Sequence, residues 1–144
     1  MKRNLVLTVL AAILVLSVLS VTACSDKPGT VTWAIPIDNF MEKPDHSDDI
    51  EIPVGDTFIL KLGSNMTTGF QWGEEAVISN SDVLKQTGYE FTEPDTGTVG
   101  AAGQEIWKFE ALKKGTTKVS MSYDRPWEGG EKGEWTYEVL VTVK

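Results

Sequence analysis

Trp135-Thr136-Tyr137-Glu138-Val139-Leu140-Val141-Thr142-Val143 decides the fold class. Trp135, Tyr137, Val139, Val141 and Val143 form one apolar face, with Thr136, Glu138 and Thr142 opposite. A period of two with one apolar face is the signature of a half-buried antiparallel strand. The same pattern recurs upstream. Phe58, Leu60 and Leu62 alternate with Ile59 and Lys61, Trp107, Phe109 and Ala111 with Lys108 and Glu110, and Val119, Met121 and Tyr123 repeat it. Turn signals separate the runs: Val54-Gly55-Asp56, Gly63-Ser64-Asn65, Thr87-Gly88, Lys114-Gly115 and Glu128-Gly129-Gly130. No segment carries an amphipathic helix of useful length. The reading is all-β: an immunoglobulin-like β-sandwich of about seven strands with Greek-key connections over residues 50–144. Most of the 13 aromatic residues fall at strand positions and are read as core.

Working outward, residues 24–49 form an N-terminal tether and acidic segment. Val31-Thr32-Trp33-Ala34-Ile35 is a candidate edge strand, and the rest is polar and aperiodic. His46, among Asp45, Asp48 and Asp49, is read as part of a solvated acidic loop and not as a metal site. Residues 1–23 are read as an export signal: Lys2 and Arg3 precede an apolar run from Leu5 to Val21. Val21-Thr22-Ala23-Cys24 resembles the lipobox of bacterial lipoproteins, which implies cleavage before Cys24 and lipid attachment to its thiol. The expected form is an exported lipoprotein anchored in the prokaryotic cell envelope through Cys24, with its domain outside the cytoplasm. The alternative is an uncleaved anchor, because the run approaches the ~20 residues of a spanning helix.

The chain has one Cys and one His. A single Cys makes no intramolecular disulfide and no cysteine-rich zinc site. Neither a Ser-His-Asp nor a Cys-His arrangement can be assembled around one His, so an enzyme is not expected, and no metal or other cofactor is called for. Without Lys2 and Arg3, 11 basic residues face 21 acidic ones, a net charge of −10. That balance opposes nucleic-acid binding. The chain is read as a monomer.

Three inter-strand segments are richer than plain turns require. Asn65-Met66-Thr67-Thr68-Gly69-Phe70 combines residues that accept left-handed backbone with hydroxyls that bond locally, which predicts a compact, pre-ordered loop. Gly97-Thr98-Val99-Gly100-Ala101-Ala102-Gly103 lets backbone approach a partner. A strand follows it, not a helix with a Lys, so it is no phosphate cradle. Tyr123-Asp124-Arg125-Pro126-Trp127-Glu128 places Arg and Trp, both enriched at binding hot spots, in one turn. Alternate loops of a Greek-key sandwich gather at one end, where these three can form one edge.

These residues carry a resemblance. Asn65–Phe70 resembles the Asn-Pro-Thr-Thr-Gly-aromatic motif of the chagasin family, inhibitors of papain-like cysteine peptidases, and Trp72 resembles the Trp that follows it there. Gly100-Ala101-Ala102-Gly103 resembles the family's glycine-rich second loop, and Arg125-Pro126-Trp127 its Arg-Pro-Trp third loop. Met66 stands where that motif has Pro, and Ala102 where Gly is common. The resemblance implies reversible, non-covalent, tight-binding occlusion of a papain-like peptidase's cleft. Asn65, Met66, Thr67, Thr68, Gly69 and Phe70 would enter it. Gly100, Ala101, Ala102 and Gly103 would lie along one wall, and Arg125, Pro126 and Trp127 would serve the other. Trp72 would hold the first loop from beneath. The alternative is a cell-surface immunoglobulin-like binding module for a glycan or an envelope protein.

Overall fold

The computed structural model describes residues 27–94 and 100–144. The export signal, Cys24 and the Gly97-Thr98-Val99 part of the second loop lie outside the described residues. The alternating runs form strands as their patterns dictate, and the described chain is nearly all β. Its elements are β1 (Thr30–Ile35), α1 (Ile37–Glu42), β2 (Asp45–Ile52), β3 (Thr57–Ser64), β4 (Gln71–Trp72), β5 (Val77–Ile78), β6 (Leu84–Thr92), β7 (Gly103–Ala111), β8 (Gly115–Asp124) and β9 (Trp135–Val143). One sheet has the order β1-β3-β7-β6. The other runs β2-β9-β8-β4, with β5 also paired to β8. The inward faces meet in one core. Phe58, Leu60 and Leu62 of β3, Trp107 and Phe109 of β7, Val119 and Tyr123 of β8, and Tyr137, Val139 and Val141 of β9 are all buried.

The strand count rises from about seven to nine because the segment read as a tether belongs to the sandwich. β1 lies parallel to β3, Thr30 opposite Thr57 and Ile35 opposite Leu62. This is the edge strand expected at Val31–Ile35. β2 lies parallel to β9, Asp45 opposite Thr136 and Ile52 opposite Val143. His46 therefore sits in a strand and not in a solvated loop. Its ring meets Phe40 edge-on at 5.1 Å, and its Nε2 lies 3.1 Å from the Asn39 carbonyl. The physical reason is that β2 is an edge strand: only Ile50 and Ile52 need burial, and Asp45, Asp49 and Glu51 face water, which also discourages edge-to-edge pairing. Asp48 ties the two edges together, accepting from Trp33 Nε1 of β1 at 3.0 Å and from the Tyr137 hydroxyl of β9 at 3.1 Å.

Between these edge strands α1 crosses one end of the sandwich. Its single buried side chain, Phe40, is fully enclosed. Gly63, near the end of β3, makes room for the crossing: a Cβ there would lie 2.3 Å from the Ile37 nitrogen. At the same end the aromatic core is densest. Phe70 stacks on Tyr123 at 5.5 Å, Tyr123 on Trp135 at 4.4 Å, and Trp135 on Phe40 at 5.6 Å. Trp72 lies against both Phe40 and Tyr123, at 5.0 and 5.1 Å. Such pairs contribute roughly 0.5–1.5 kcal/mol each beyond the area they bury, and they form a platform under the loops that follow.

Candidate functional site

The first loop leaves β3 at Asn65 and turns through one 3-10 helical turn, Met66–Thr68. Asn65 organises it. Its Oδ1 accepts from the Thr67 amide at 3.3 Å and the Thr67 hydroxyl at 2.6 Å, and its carbonyl accepts from the Thr68 hydroxyl at 2.7 Å. The Phe70 amide then donates to Thr68 Oγ1 at 3.3 Å. Gly69 ends the turn at φ +80°, a left-handed position that side chains with a Cβ rarely adopt. The loop is thus pre-ordered, as its composition predicts. Met66, Thr67 and Thr68 project into solvent while Phe70 is buried beneath them.

The loop is also pinned from below. The Asn65 amide donates to the Tyr123 hydroxyl at 2.9 Å, and Trp72 Nε1 donates to the Gly63 carbonyl at 3.1 Å. Trp72 is fully buried, the supporting position expected for it. Its amide donates to Glu105 Oε1 at 3.0 Å, and the Tyr89 hydroxyl donates to Glu105 Oε2 at 2.8 Å. Glu105 is enclosed, and this burial raises its carboxyl above the usual carboxylate range, against the hydrogen bonds that favour the charged form. Sequence reasoning missed Glu105. The signal was present: it is in phase with Trp107, Phe109 and Ala111, an acid on the inward face of a strand.

The third loop folds onto the first. The Arg125 guanidinium lies 4.3 Å from the Phe70 ring centroid, and its Nη2 donates to the Thr68 carbonyl at 3.4 Å. Glu131 holds it from the other side, Oε2 to Nη1 at 2.5 Å. Trp127 stays half exposed and closes over Gly69; a Cβ on Gly69 would lie 2.6 Å from Trp127 Cη2. Within the loop, the Gly130 amide donates to the Trp127 carbonyl at 3.1 Å and the Gly133 amide to Asp124 Oδ1 at 2.6 Å. Lys132 Nζ donates to the Arg125 carbonyl. Pro126 lies exposed between the two anchors.

Among the described residues, the second loop reaches the first through Asn65 Nδ2, which donates to the Gly100 carbonyl at 3.1 Å. Ala101 and Ala102 are half-buried. Gly103 is buried as the first residue of β7, opposite Ser64. A Cβ on Gly103 would lie 2.5 Å from the Thr92 carbonyl oxygen, so this glycine keeps two strands close and offers no surface. Of the residues expected at the site, Asn65, Thr68, Gly69, Phe70, Gly100, Arg125 and Trp127 therefore touch one another directly across three loops. Gly103 and Phe70 sit below the edge as supports.

Residues 51–141 match the profile of the Chagasin family peptidase inhibitor I42. The chain belongs to the chagasin family. It is 30% identical over 102 residues to Amoebiasin-2 of Entamoeba histolytica, an alignment covering 69% of this chain and 81% of that protein. It is 32% identical over 82 residues to Chagasin of Trypanosoma cruzi, covering 56% and 74%. The crystal structure of the cysteine protease inhibitor EhICP2 from Entamoeba histolytica superposes with a TM-score of 0.61 at 24% identity, covering 81% of this chain and 96% of that one, which shows a shared fold. In this chagasin-family chain the described part of the loop edge is made of backbone, small side chains, Met66 and Trp127. The Thr67 and Thr68 hydroxyls are both spent inside the loop.

Proposed function

We propose that this chain inhibits papain-like cysteine peptidases reversibly and without covalent chemistry, as a wedge of three loops. Thr67, Thr68 and Gly69 enter the cleft nearest the peptidase's nucleophilic Cys. Met66 leads the same loop, Gly100–Ala102 runs along one wall, and Trp127 packs on the other. The observation that carries this reading is the cross-bonding of the three loops at one end of the sandwich: Asn65 to Gly100, Arg125 to Thr68 and Phe70, and Trp127 on Gly69. Ordering mobile loops on contact subtracts from affinity, whereas loops already fixed to one another avoid that cost. A wedge of this kind buries about 1,600 Å² in total, the usual size for protease–inhibitor pairs. Titration of the protein against papain with a fluorogenic peptide substrate tests it. Inhibition that reverses on dilution is expected. Full activity of papain at micromolar inhibitor rules the reading out.

The chain carries this domain, we further propose, as an exported lipoprotein with its lipid on Cys24 in a prokaryotic envelope. The basic start, the apolar run and the only Cys in the sequence support this. In a bacterial host, label from a fatty-acid analogue should appear on the protein and vanish in Cys24→Ser. Equal labelling of the two forms refutes the anchor.

A further inference from the structure

We infer that α1 is a fourth contact element for the peptidase, lying beside the first loop and Arg125 of the third. A pocket of about 360 Å³ opens between α1 and the loops, walled by Ile37 and Met41 of α1, Trp135 of β9, and Thr68, Phe70 and Arg125. Thr68 belongs to the proposed peptidase-binding edge, with Phe70 beneath it and Arg125 bracing it, so the pocket adjoins that edge. Its occupant is an apolar side chain projecting from the peptidase wall that Trp127 faces. This rests on the function proposed above and adds to it a surface outside the three loops.

Three observations converge. Met41 is 69% exposed, beside a Phe40 that is completely buried. The anchored neighbour fixes the backbone that carries Met41, so only its side chain is ordered on contact. Met41 is also the more exposed of the two α1 side chains that line the pocket beside Thr68 of the first loop. Finally, the Phe70–Tyr123–Trp135–Phe40 stack links the floor of the first loop to α1, which fixes the helix relative to the loops. Methionine adapts its shape to different surfaces, which suits a contact at the margin of a cleft.

The test uses the full chain carrying Cys24→Ser, so that an introduced thiol is the only one. Met41→Cys, Met66→Cys and Leu112→Cys are each alkylated with N-ethylmaleimide, free and saturated with papain, and the inhibitor chain is weighed by mass spectrometry. Leu112 is exposed at the opposite pole. Alkylation at positions 41 and 66 should slow by about tenfold or more in the complex, with position 112 unchanged. In parallel, Met41→Glu should raise the inhibition constant about tenfold at an unchanged melting temperature. Protection at position 66 without protection at 41 overturns the fourth contact and leaves the three-loop wedge standing. Protection at neither overturns both.

Discussion

Replacing Gly69 by Ala should separate two consequences of one atom. The added Cβ meets two obstacles. The backbone at φ +80° is left-handed, which costs a residue with a Cβ roughly 1–2 kcal/mol. The same atom would lie 2.6 Å from Trp127 Cη2, far inside contact distance, so the indole must move. The backbone strain is present in free and bound inhibitor alike and falls on stability. For a domain of this size, 1–2 kcal/mol lowers the melting temperature by about 4–10 °C. The displaced indole falls on binding. If Trp127 is a hot spot worth ~2 kcal/mol, its misplacement raises the inhibition constant about 30-fold. The assays are thermal unfolding and titration of papain with Gly69→Ala, Trp127→Ala and the double variant. In the Trp127→Ala background, Gly69→Ala should still lower the melting temperature but change the inhibition constant by less than about twofold, because no ring remains to be displaced. A wild-type inhibition constant for Gly69→Ala, or equal losses of inhibition in the two backgrounds, refutes the coupling of these loops.

Trp127→Ala alone should weaken inhibition of papain by ~2 kcal/mol or more with little loss of stability, since the side chain is half exposed; an unchanged constant removes Trp127 from the binding edge. Met66→Pro should preserve or tighten inhibition, because position 66 opens a 3-10 turn where the fixed φ of Pro is favourable. A large loss in that titration would show a first-loop geometry that Pro cannot adopt. Glu105 should make stability depend on pH. Its folded carboxyl is raised above 4.5, so the folded state binds the proton more tightly than the unfolded one. That contribution is fully present below the unfolded value and is lost as pH rises through the folded one. Melting curves of wild type and Glu105→Gln, compared point by point from acid to neutral pH, should therefore show wild type losing ground as pH rises. A constant difference between them across that window argues against a raised carboxyl.

The legibility of this fold follows the range of its pairings. β3, β7, β8 and β9 each carry an apolar face at period two, and that pattern survives without knowledge of any partner. The first loop is legible for a similar reason: Asn65, Thr67 and Thr68 bond to one another within four positions. β2 was not legible. Its pairing partner β9 lies some 90 positions away in sequence, as in the Asp45–Thr136 hydrogen bond, and its composition answers to solvent more than to core. α1 is a helix of six residues, too short for a 3.6-residue period to register. The joining of Arg125 to Phe70 and of Trp127 to Gly69 depends on two loops meeting across more than fifty positions, and local chemistry does not encode that distance.

β1 runs parallel to β3 and therefore begins at the pole opposite the three loops. Gly29 is already fixed there, its amide donating to Asp56 Oδ1 at 2.7 Å and its carbonyl accepting from the Thr57 amide at 2.9 Å. From Cys24 to Gly29 the backbone can span at most about 18 Å, while the eight residues of β3 carry the first loop roughly 26 Å further along the molecule. With a lipid on Cys24, as proposed above, the short link would seat one pole against the bilayer and turn the other outward. An inhibitor so tethered would have its edge at the pole away from its attachment, open to enzymes arriving from the surroundings. Its anchoring would then cost it no access to its targets, and many copies on one surface would present the same edge in the same direction.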